Sequence, residues 1–268
     1  MKISFIGAGN MASAIIKSVV NSGRMNASDI YVFDKFSEKV SNLSSECGIN
    51  ACASLSDACN SSDVILLAVK PQDYPCLLSD IKYAAKVIGK KTFISIAAAI
   101  SCDYICTQLG LGCPVVRVMP NTPLLIGEGA TAISRNSYVG DKLYSKICTL
   151  FAASGCVCSL DEDMMNKVIS VNSSSPVYVY LLAKAMIDKA QEYGISEKNA
   201  RELVLQTVRG SVDMMLKSGK TPDELISMVA SPGGTTLAAI NSFENNNYIG
   251  TVHQAMDACT ARADELAK

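Results

Sequence analysis

Two glycines near the amino terminus stand where backbone amides could bind a phosphate. Gly7 and Gly9, with Ala12, fill the pattern G-x-G-x-x-A between the apolar run "KISFI" and a segment of helical periodicity. In that context the first glycine makes a tight turn, the second lets the chain approach a pyrophosphate, and the alanine keeps helix and strand close. The helix amino terminus then faces the anion. The pattern predicts a dinucleotide site, and a glycine turn without a ligand is the alternative.

A charged pair follows the second predicted strand, "DIYVFD" at residues 29 to 34. Asp34 lies 22 residues after Ala12, where an acidic side chain hydrogen-bonds the adenosine ribose and favours NAD. The adjacent Lys35 could instead pair with the 2′-phosphate of NADP. A solvated charge pair at the end of a strand is the structural alternative. The sequence therefore leaves the choice between NAD and NADP open.

A second glycine pair interrupts the carboxyl-terminal half, in "SPGGTTLAAI" from Ser231 to Ile240. In the interior of a helix, each glycine costs roughly 1 kcal/mol and a proline roughly 3 kcal/mol. The break is therefore either a plain connection between two helices or a backbone cradle for a ligand. Glycines allow successive N–H groups to converge on a carboxylate, and a helix that begins near Thr236 would add its positive end.

The chain is poor in the side chains that most enzymes use for acid–base or metal chemistry. It has one histidine, His253, and no motif contains a pair of carboxylates. The eleven cysteines include no C-x-x-C pair, which argues against a zinc site and favours free, mostly buried thiols in a cytoplasmic protein. We expect no bound metal, and we expect any difficult chemistry to come from an organic cofactor.

Size and composition indicate a packed protein with one large or two modest domains. The 268 residues are 49% hydrophobic, and the formal net charge of -1 gives no electrostatic basis for binding nucleic acid or an anionic membrane. No apolar run reaches the length of about 18 residues that a membrane-spanning helix needs. The start, "MKISFIGAGN", becomes glycine-rich too early for a signal peptide. We expect a cytoplasmic location.

Buried strands alternate with helices through the first half of the chain. Strands are predicted in "KISFIG", "DIYVFD", "SDVILLAVKPQ", "KTFISIAAAIS" and "PVVRVMPNTP", with edge strands in "GATAIS" and "GCVCSL", and helices near 11–22, 36–47, 73–85 and 101–109. This alternation predicts an α/β fold, a doubly wound parallel sheet of the Rossmann type with its ligand site at the carboxyl ends of the strands. Those ends carry Gly7, Asp34, Ala68 to Pro71, Ala97 to Ala99 and Pro120-Asn121.

The second half is predicted to be helical, with a boundary near residue 160 that gives domains 1–160 and 161–268. Thr221 and Pro222 are typical of a helix cap and of a first helical position. Apolar stripes at 169–186 and along the 203–215 face exceed what one small bundle is expected to bury. A subunit interface follows from this excess, and an ordinary monomeric core is the alternative.

Five segments then appear in a specific order: "FIGAGNMASAI", "LAVKPQ", "VVRVMPNTP", "SPVYVYLLAKA" and "SPGGTT". In this order they resemble the pyrroline-5-carboxylate reductase family over essentially the whole chain. The resemblance implies a Rossmann domain followed by an all-α dimerisation domain, in a homodimer that can assemble further. It also implies reduction of (S)-1-pyrroline-5-carboxylate to L-proline, the last step of proline biosynthesis, with NADPH or NADH.

By this resemblance, the catalytic residue is Thr236, which hydrogen-bonds the bound imino acid, while backbone amides of Gly233 to Thr235 hold its carboxylate. The substrate-binding set is Ser231, Gly233, Gly234, Thr235 and Thr236. The cofactor-binding set, from the resemblance and the strand ends together, is Ile6, Gly7, Ala8, Gly9, Asn10, Met11, Asp34, Lys35, Ala68, Val69, Lys70, Pro71, Ala97 and Asn121.

Three positions depart from the family pattern. Ser173 and Ser175 stand where the family usually has glycine before the long interface helix, and Ala99 stands where it prefers glycine. Added Cβ atoms there could narrow the cleft. Two alternatives therefore stay open. One is a related imine reductase or β-hydroxyacid dehydrogenase-like enzyme that depends on a lysine, such as Lys167 or Lys184. The other is a non-catalytic nucleotide-binding protein.

Overall fold

An eight-stranded sheet organises the first part of the computed structural model, which describes residues 1–85 and 88–267. The strand order is β3-β2-β1-β4-β5-β6-β7-β8, and neighbours are parallel except for the antiparallel pair β6 and β7. The predicted doubly wound, mainly parallel sheet is confirmed. Its strands are β1 (Ile3–Ile6), β2 (Ile30–Phe33), β3 (Asn50–Ala51), β4 (Val64–Leu67), β5 (Thr92–Ser95), β6 (Val115–Met119), β7 (Gly129–Arg135) and β8 (Gly155–Ser159).

Six helices flank the sheet in the residues that the structure describes, and the four predicted ones are confirmed. They are α1 (Asn10–Asn21), α2 (Ser37–Cys47), α3 (Leu55–Ser61), α4 (Tyr74–Ala84), α5 (Cys102–Leu109) and α6 (Asp141–Phe151). The sequence patterns predicted neither α3 nor α6, nor the two-residue strand β3. Helix α3 has only seven residues and begins where the Ser54 side chain accepts a hydrogen bond from the amide of Asp57.

Both faces of the sheet are covered, which explains why its central strands are continuous apolar runs. Along β4, Val64 and Leu66 pack into one hydrophobic cluster, and Ile65 and Leu67 pack into the cluster on the other face. All four residues of β4 are buried. The helices therefore hold the strand ends in fixed positions, and the loops that follow the strands can present backbone groups with little freedom to move.

Five further helices follow in the described part of the chain: α7 (Pro176–Glu192), α8 (Glu197–Lys217), α9 (Pro222–Val229), α10 (Thr235–Asn245) and α11 (Tyr248–Glu265). The predicted start of α9 is confirmed, because Thr221 and Glu224 form a reciprocal capping box and Pro222 is the first helical residue. No helix in the described part of the chain combines the length and apolar character needed to cross a membrane.

The chain packs as two compact units, one comprising residues 1–174 and 259–268 and the other 175–258. The first unit thus extends beyond the predicted boundary at residue 160. The reason is that the segment after residue 160 packs on the sheet: Met165 and Ile169 join Met119 and Ala132 in one buried cluster. The sequence patterns predict a helical segment from residue 161 that is interrupted near residues 173–176. In the structure, the part before this interruption has a short 3-10 turn at Glu162–Met164 and a π-helical turn at Ile169–Ser173.

The second unit buries few apolar side chains within a single chain. Ala183, Ala200 and Val204 are the buried residues of helices α7 and α8 in the described structure. In contrast, Leu181, Leu203 and Leu216 are 60%, 63% and 75% exposed. These helices therefore present large apolar side chains that the unit itself does not cover.

Candidate functional site

The loop between β1 and α1 requires glycine at its first position. Gly7 has a φ of +110°, and a Cβ atom there would lie 2.7 Å from the carbonyl oxygen of Ala68. The amide of Gly7 donates to the carbonyl of Phe33 at 2.8 Å, and the amide of Ala68 donates to the carbonyl of Ile6 at 2.9 Å. The predicted cofactor residues at the ends of β1 and β4 are therefore brought into direct contact.

Gly9 differs from Gly7 in having open space beside it. Nothing lies within 4 Å of the position that an added Cβ atom would occupy. Gly9 is the N-cap of α1, with no side-chain cap and no acidic residue in the first turn of the helix. The first amides of α1 are thus available to an anion, and Asn10 beside them is exposed. This open approach to a positive helix end fits the pyrophosphate of a dinucleotide.

Asp34 reaches the same loop from the end of β2. Its Oδ2 accepts a hydrogen bond from the amide of Ala8 at 2.7 Å, and its Oδ1 accepts one from the amide of Phe36 at 2.9 Å. Lys35 is exposed, and no salt bridge joins it to a carboxylate among the described residues. The predicted charged pair is therefore split: the carboxylate is fixed against the loop, and the ammonium group is in solvent.

The ends of β4 and β5 are supported by a side chain that sequence patterns did not identify. The hydroxyl of Tyr74 donates to the carbonyl of Leu67 at 3.1 Å and lies 2.8 Å from Oγ of Ser95. Burial raises the pKa of this phenol well above its ordinary value. Ser95 Oγ also accepts a hydrogen bond from the amide of Ala97 at 3.4 Å. Tyr74 thus links the strand ends that carry Ala68 and Ala97.

Asn121, another predicted cofactor residue, uses its side chain inside the fold. Its Oδ1 accepts from the amide of Ala130 at 2.9 Å, and its Nδ2 donates to the carbonyl of Asn172 at 3.1 Å. Asn172 in turn donates to the carbonyls of Met119 and Ala130. These two amides join the end of β6, the start of β7 and the π-helical turn. The side chain of Asn121 is therefore engaged in holding this junction.

The predicted substrate residues lie together on the loop between α9 and α10. Gly233 has a φ of +70°, and the amide of Gly234 donates to the carbonyl of Ser231 at 3.0 Å. Gly234 is the N-cap of α10 without a side-chain cap, and the first turn of α10 contains no acidic residue. Thr235 and Thr236 are the first two helical residues. Gly233 and Thr235 are exposed at this positive helix end, an arrangement that suits the binding of a carboxylate.

Thr236 borders an apolar cleft within the second unit. The cleft has a volume of about 470 Å³ and is lined by Met215, Leu225, Ile226 and Ile240 among others. Thr236 is half-buried, whereas Thr235 is exposed. A polar hydroxyl at the edge of an apolar cleft can orient a small ring whose other atoms are apolar.

Comparison with known proteins identifies relatives along the whole chain. Family models match residues 162–266 (pyrroline-5-carboxylate reductase dimerisation) and residues 2–99 (NADP oxidoreductase, coenzyme F420-dependent). The pyrroline-5-carboxylate reductase of Escherichia coli K12 is 34% identical, covering 100% of this chain and 98% of its own length. That of Pseudomonas aeruginosa is 37% identical, with coverages of 100% and 97%.

The chain belongs to the pyrroline-5-carboxylate reductase family.

Solved structures of the pyrroline-5-carboxylate reductase family have the same fold. The enzyme from Coxiella burnetii superposes with a TM-score of 0.91 at 30% identity, covering 100% of this chain and 98% of that one. The Plasmodium falciparum pyrroline carboxylate reductase, solved with NADP bound, has a TM-score of 0.90 at 28% identity, with the same coverages.

The three residues that depart from the usual pattern of the pyrroline-5-carboxylate reductase family differ in their effect on the backbone. Ala99 has a φ of +61°, in the left-handed region where glycine is unstrained, so this chain holds a strained alanine there. Ser173 and Ser175 do not have positive φ, and Ser175 is helical at φ −62° and ψ −23°. The backbone at the two serines therefore accepts any side chain.

The two lysines that a lysine-dependent alternative could use, Lys167 and Lys184, have side chains that make local contacts in the described structure. Lys184 forms a salt bridge with Asp188 on the exposed side of α7. Lys167 is exposed, and its Nζ atom lies 4.0 Å from the sulfur of Met164. Within the residues that the structure describes, no group of three or more His, Cys, Asp or Glu side chains could hold a metal ion.

Proposed function

We propose that this protein reduces (S)-1-pyrroline-5-carboxylate to L-proline, with NADPH or NADH as the reductant. The observation that carries the proposal is the match to pyrroline-5-carboxylate reductases over the entire chain, which includes both glycine loops. The alternatives, a lysine-dependent dehydrogenase and a non-catalytic protein, have no observation that favours them.

The cofactor would be held by the ends of β1, β2 and β4. Gly9 leaves room for the pyrophosphate at the start of α1, and Asp34 fixes the loop around it. When bound, the dihydronicotinamide supplies the hydride. The residues assigned to this site are those predicted from the sequence, with two exceptions. The Lys35 side chain is exposed and forms no salt bridge among the described residues, and the side chain of Asn121 acts through the junction it holds.

The substrate would be held by the loop from Ser231 to Thr236. Backbone amides of Gly233 and Thr235 would bind the carboxylate, because the amide of Gly234 between them already donates to Ser231. The Thr236 hydroxyl would orient the ring beside the imine nitrogen. The loop contains no titratable side chain. The proton on the imine nitrogen therefore arrives with the substrate as an iminium ion or comes from water, and the protein acts mainly by positioning.

The assembly would be a homodimer formed through the second unit, with larger oligomers built from it. The dimerisation family model covers residues 162–266, and the apolar side chains of α7 and α8 are exposed in a single chain. All eleven cysteines are free thiols, which suits the reducing conditions of the cytoplasm. The net charge of -1 offers nucleic acid no general attraction.

The first test is the oxidation of NADH and NADPH by the purified protein, with and without pyrroline-5-carboxylate. Oxidation that depends on the imine supports the proposal. If folded protein binds a cofactor but oxidises neither one in the presence of the imine, the protein has a different substrate or none, and the proposal is wrong.

The role of Thr236 can be tested with a matched pair of variants. Thr236→Val keeps the shape of the side chain and removes its hydroxyl, so kcat/KM for the imine should fall about tenfold or more, the cost of one unmade hydrogen bond. Thr236→Ser keeps the hydroxyl and should retain most of the activity. Calorimetry should give the wild-type dissociation constant for NADH in both. Equal loss in both variants, or a loss of cofactor affinity, would contradict this placement.

A further inference from the structure

The carboxylate of Asp34 lies at the end of β2, between the glycine loop and the start of α2. Each of its oxygens accepts a backbone amide, from Ala8 at 2.7 Å and from Phe36 at 2.9 Å. Ala8 belongs to the glycine loop, and Phe36 is the N-cap of α2. The chain therefore uses its own negative charge to satisfy the two amides that an external anion would otherwise bind at this point.

A second anion at this place would find few donors and an unfavourable charge. The N-cap of α2 has no side-chain hydrogen bond, and the acidic residue in the first turn of α2 is Glu38. Asp34 and Glu38 thus place two carboxylates at or next to the positive end of this helix, which weakens its attraction for a phosphate. Like charges placed side by side at a binding site are strongly unfavourable.

The cations of the same segment are not fixed where they would offset these carboxylates. Lys35 is exposed, and the ammonium group of Lys39 lies 4.8 Å from the centroid of the exposed Phe36 ring. A solvated lysine pays side-chain entropy to hold one geometry, so an exposed ion pair contributes little. The fixed carboxylate therefore outweighs the mobile ammonium groups.

We propose that Asp34 makes this protein prefer NADH to NADPH. Each oxygen of the carboxylate has a lone pair left after binding its amide, and these lone pairs can accept the hydroxyls of the adenosine ribose. The 2′-phosphate of NADPH would put a dianion in place of a hydroxyl donor. This inference rests on the proposed function only in assuming that a nicotinamide cofactor binds at the glycine loop.

Calorimetric titration of the full-length protein with NADH and with NADPH tests the preference directly. We expect NADH to bind about tenfold or more tightly than NADPH. Asp34→Asn removes the charge, so it should raise the affinity for NADPH relative to NADH and bring the ratio of dissociation constants towards one. Asp29→Asn, which removes the same charge at the opposite end of β2, should leave the wild-type ratio unchanged.

Two further measurements keep the test decisive if Asp34→Asn does not fold. With the wild-type protein, AMP should compete with NADH better than adenosine 2′,5′-bisphosphate does, because only the second ligand carries the added phosphate. Lys35→Ala should leave the ratio of the NADH and NADPH dissociation constants within about twofold of wild type. A large loss of NADPH affinity in Lys35→Ala would make that lysine the determinant and overturn the proposal.

The outcomes separate the inference from the proposed function. If the protein binds NADPH as tightly as NADH or more tightly, the inference is wrong, whether or not the imine is reduced. If NADH binds more tightly but pyrroline-5-carboxylate is not reduced with either cofactor, the preference stands and the proposed substrate is wrong. Binding of neither cofactor would refute both.

Discussion

Gly7 and Gly9 lie two residues apart in one loop but differ in conformation and surroundings. Gly7 is in the left-handed region at φ +110°, with the carbonyl oxygen of Ala68 close to the position that a Cβ atom would take. Gly9, at φ −75° and ψ 178°, has a backbone conformation that any residue adopts, and the space beside it is open. The fold therefore explains Gly7, and for Gly9 the open space is what the proposed cofactor site would require.

This difference predicts opposite results for two alanine variants. Gly7→Ala should lower the free energy of unfolding by about 2 kcal/mol or more, because it combines left-handed strain with a clash against backbone. Gly9→Ala should change that free energy by less than about 0.5 kcal/mol. Its added methyl group should nevertheless weaken NADH binding about tenfold or more, since it fills the approach of the pyrophosphate.

Urea denaturation and calorimetric titration of both variants check this prediction, and each variant serves as the control for the other. Gly9→Ala with wild-type affinity for NADH would mean that the pyrophosphate does not approach this loop. Gly7→Ala with wild-type stability would contradict the steric argument.

For single residues, sequence patterns could predict the roles that local backbone geometry determines. Gly7 and Thr221 are of this kind, because a tight turn and a helix cap depend on neighbours in sequence. The contacts of Asp34 with Ala8, of Tyr74 with Ser95 and of Asn121 with Asn172 could not be predicted, because these partners are 26, 21 and 51 residues apart in sequence. The assignment of Thr236 to the substrate site came from family resemblance and stays a prediction.

Among the helices and strands, too, those set by local sequence patterns could be predicted, and those set by distant contacts could not. The long strands and helices of the first unit were predictable because both faces of the sheet are buried and each helix has an apolar face. Strand β3 has two residues and exists through its pairing with Tyr31 and Val32 of β2. The π-helical turn at Ile169–Ser173 is likewise held by distant contacts, including the side chain of Asn172 with Met119 and Ala130. No periodicity in a short segment could have indicated either one.

A buried arginine joins strand β6 to the segment that follows the sheet. Arg117 is 3% exposed, and its Nη2 donates to Oδ1 of Asn166 at 2.5 Å. Asn166 Nδ2 donates to Oδ1 of Asp264 near the end of α11 at 3.0 Å. Burial lowers the pKa of the Arg117 guanidinium, and the charge of Glu162 opposes that shift. Glu162 also accepts the amide of Cys102 at the start of α5, at 2.6 Å.

Removing the guanidinium should therefore destabilise the first unit. Arg117→Met preserves much of the apolar volume but leaves Glu162 and Asn166 without their cationic partner, so we expect a loss of about 2–4 kcal/mol. Arg24→Met removes an exposed arginine that donates to the carbonyl of Thr149, and it should cost less than about 1 kcal/mol. Urea denaturation followed by circular dichroism measures both. Equal effects would show that the buried arginine does not join these elements.

For the whole molecule, the two units differ in how much of their apolar surface one chain can cover. The first unit buries whole strands between two layers of helices. The second leaves Leu181, Leu203 and Leu216 more than half exposed. Apolar surface of this extent on helices α7 and α8 is typical of an obligate interface, in which a second copy completes the core. Sequence periodicity indicated that the second half has more apolar surface than one chain can bury. The number of subunits could not be predicted, because it depends on contacts between chains.

A single charge on the apolar face should therefore separate the subunits. Leu203→Asp places a carboxylate where an interface would have to bury it, so sedimentation should show a species near the monomer mass of 28.4 kDa at concentrations where wild type is dimeric or larger. Arg209→Gln changes the net charge by the same amount on the charged face of α8 with Glu202 and Asp213, and it should leave the assembly unchanged. Calorimetry should find NADH binding retained in both variants, because the glycine loop lies in the first unit. If Leu203→Asp sediments as wild type does, the exposed face of α8 is not a subunit interface.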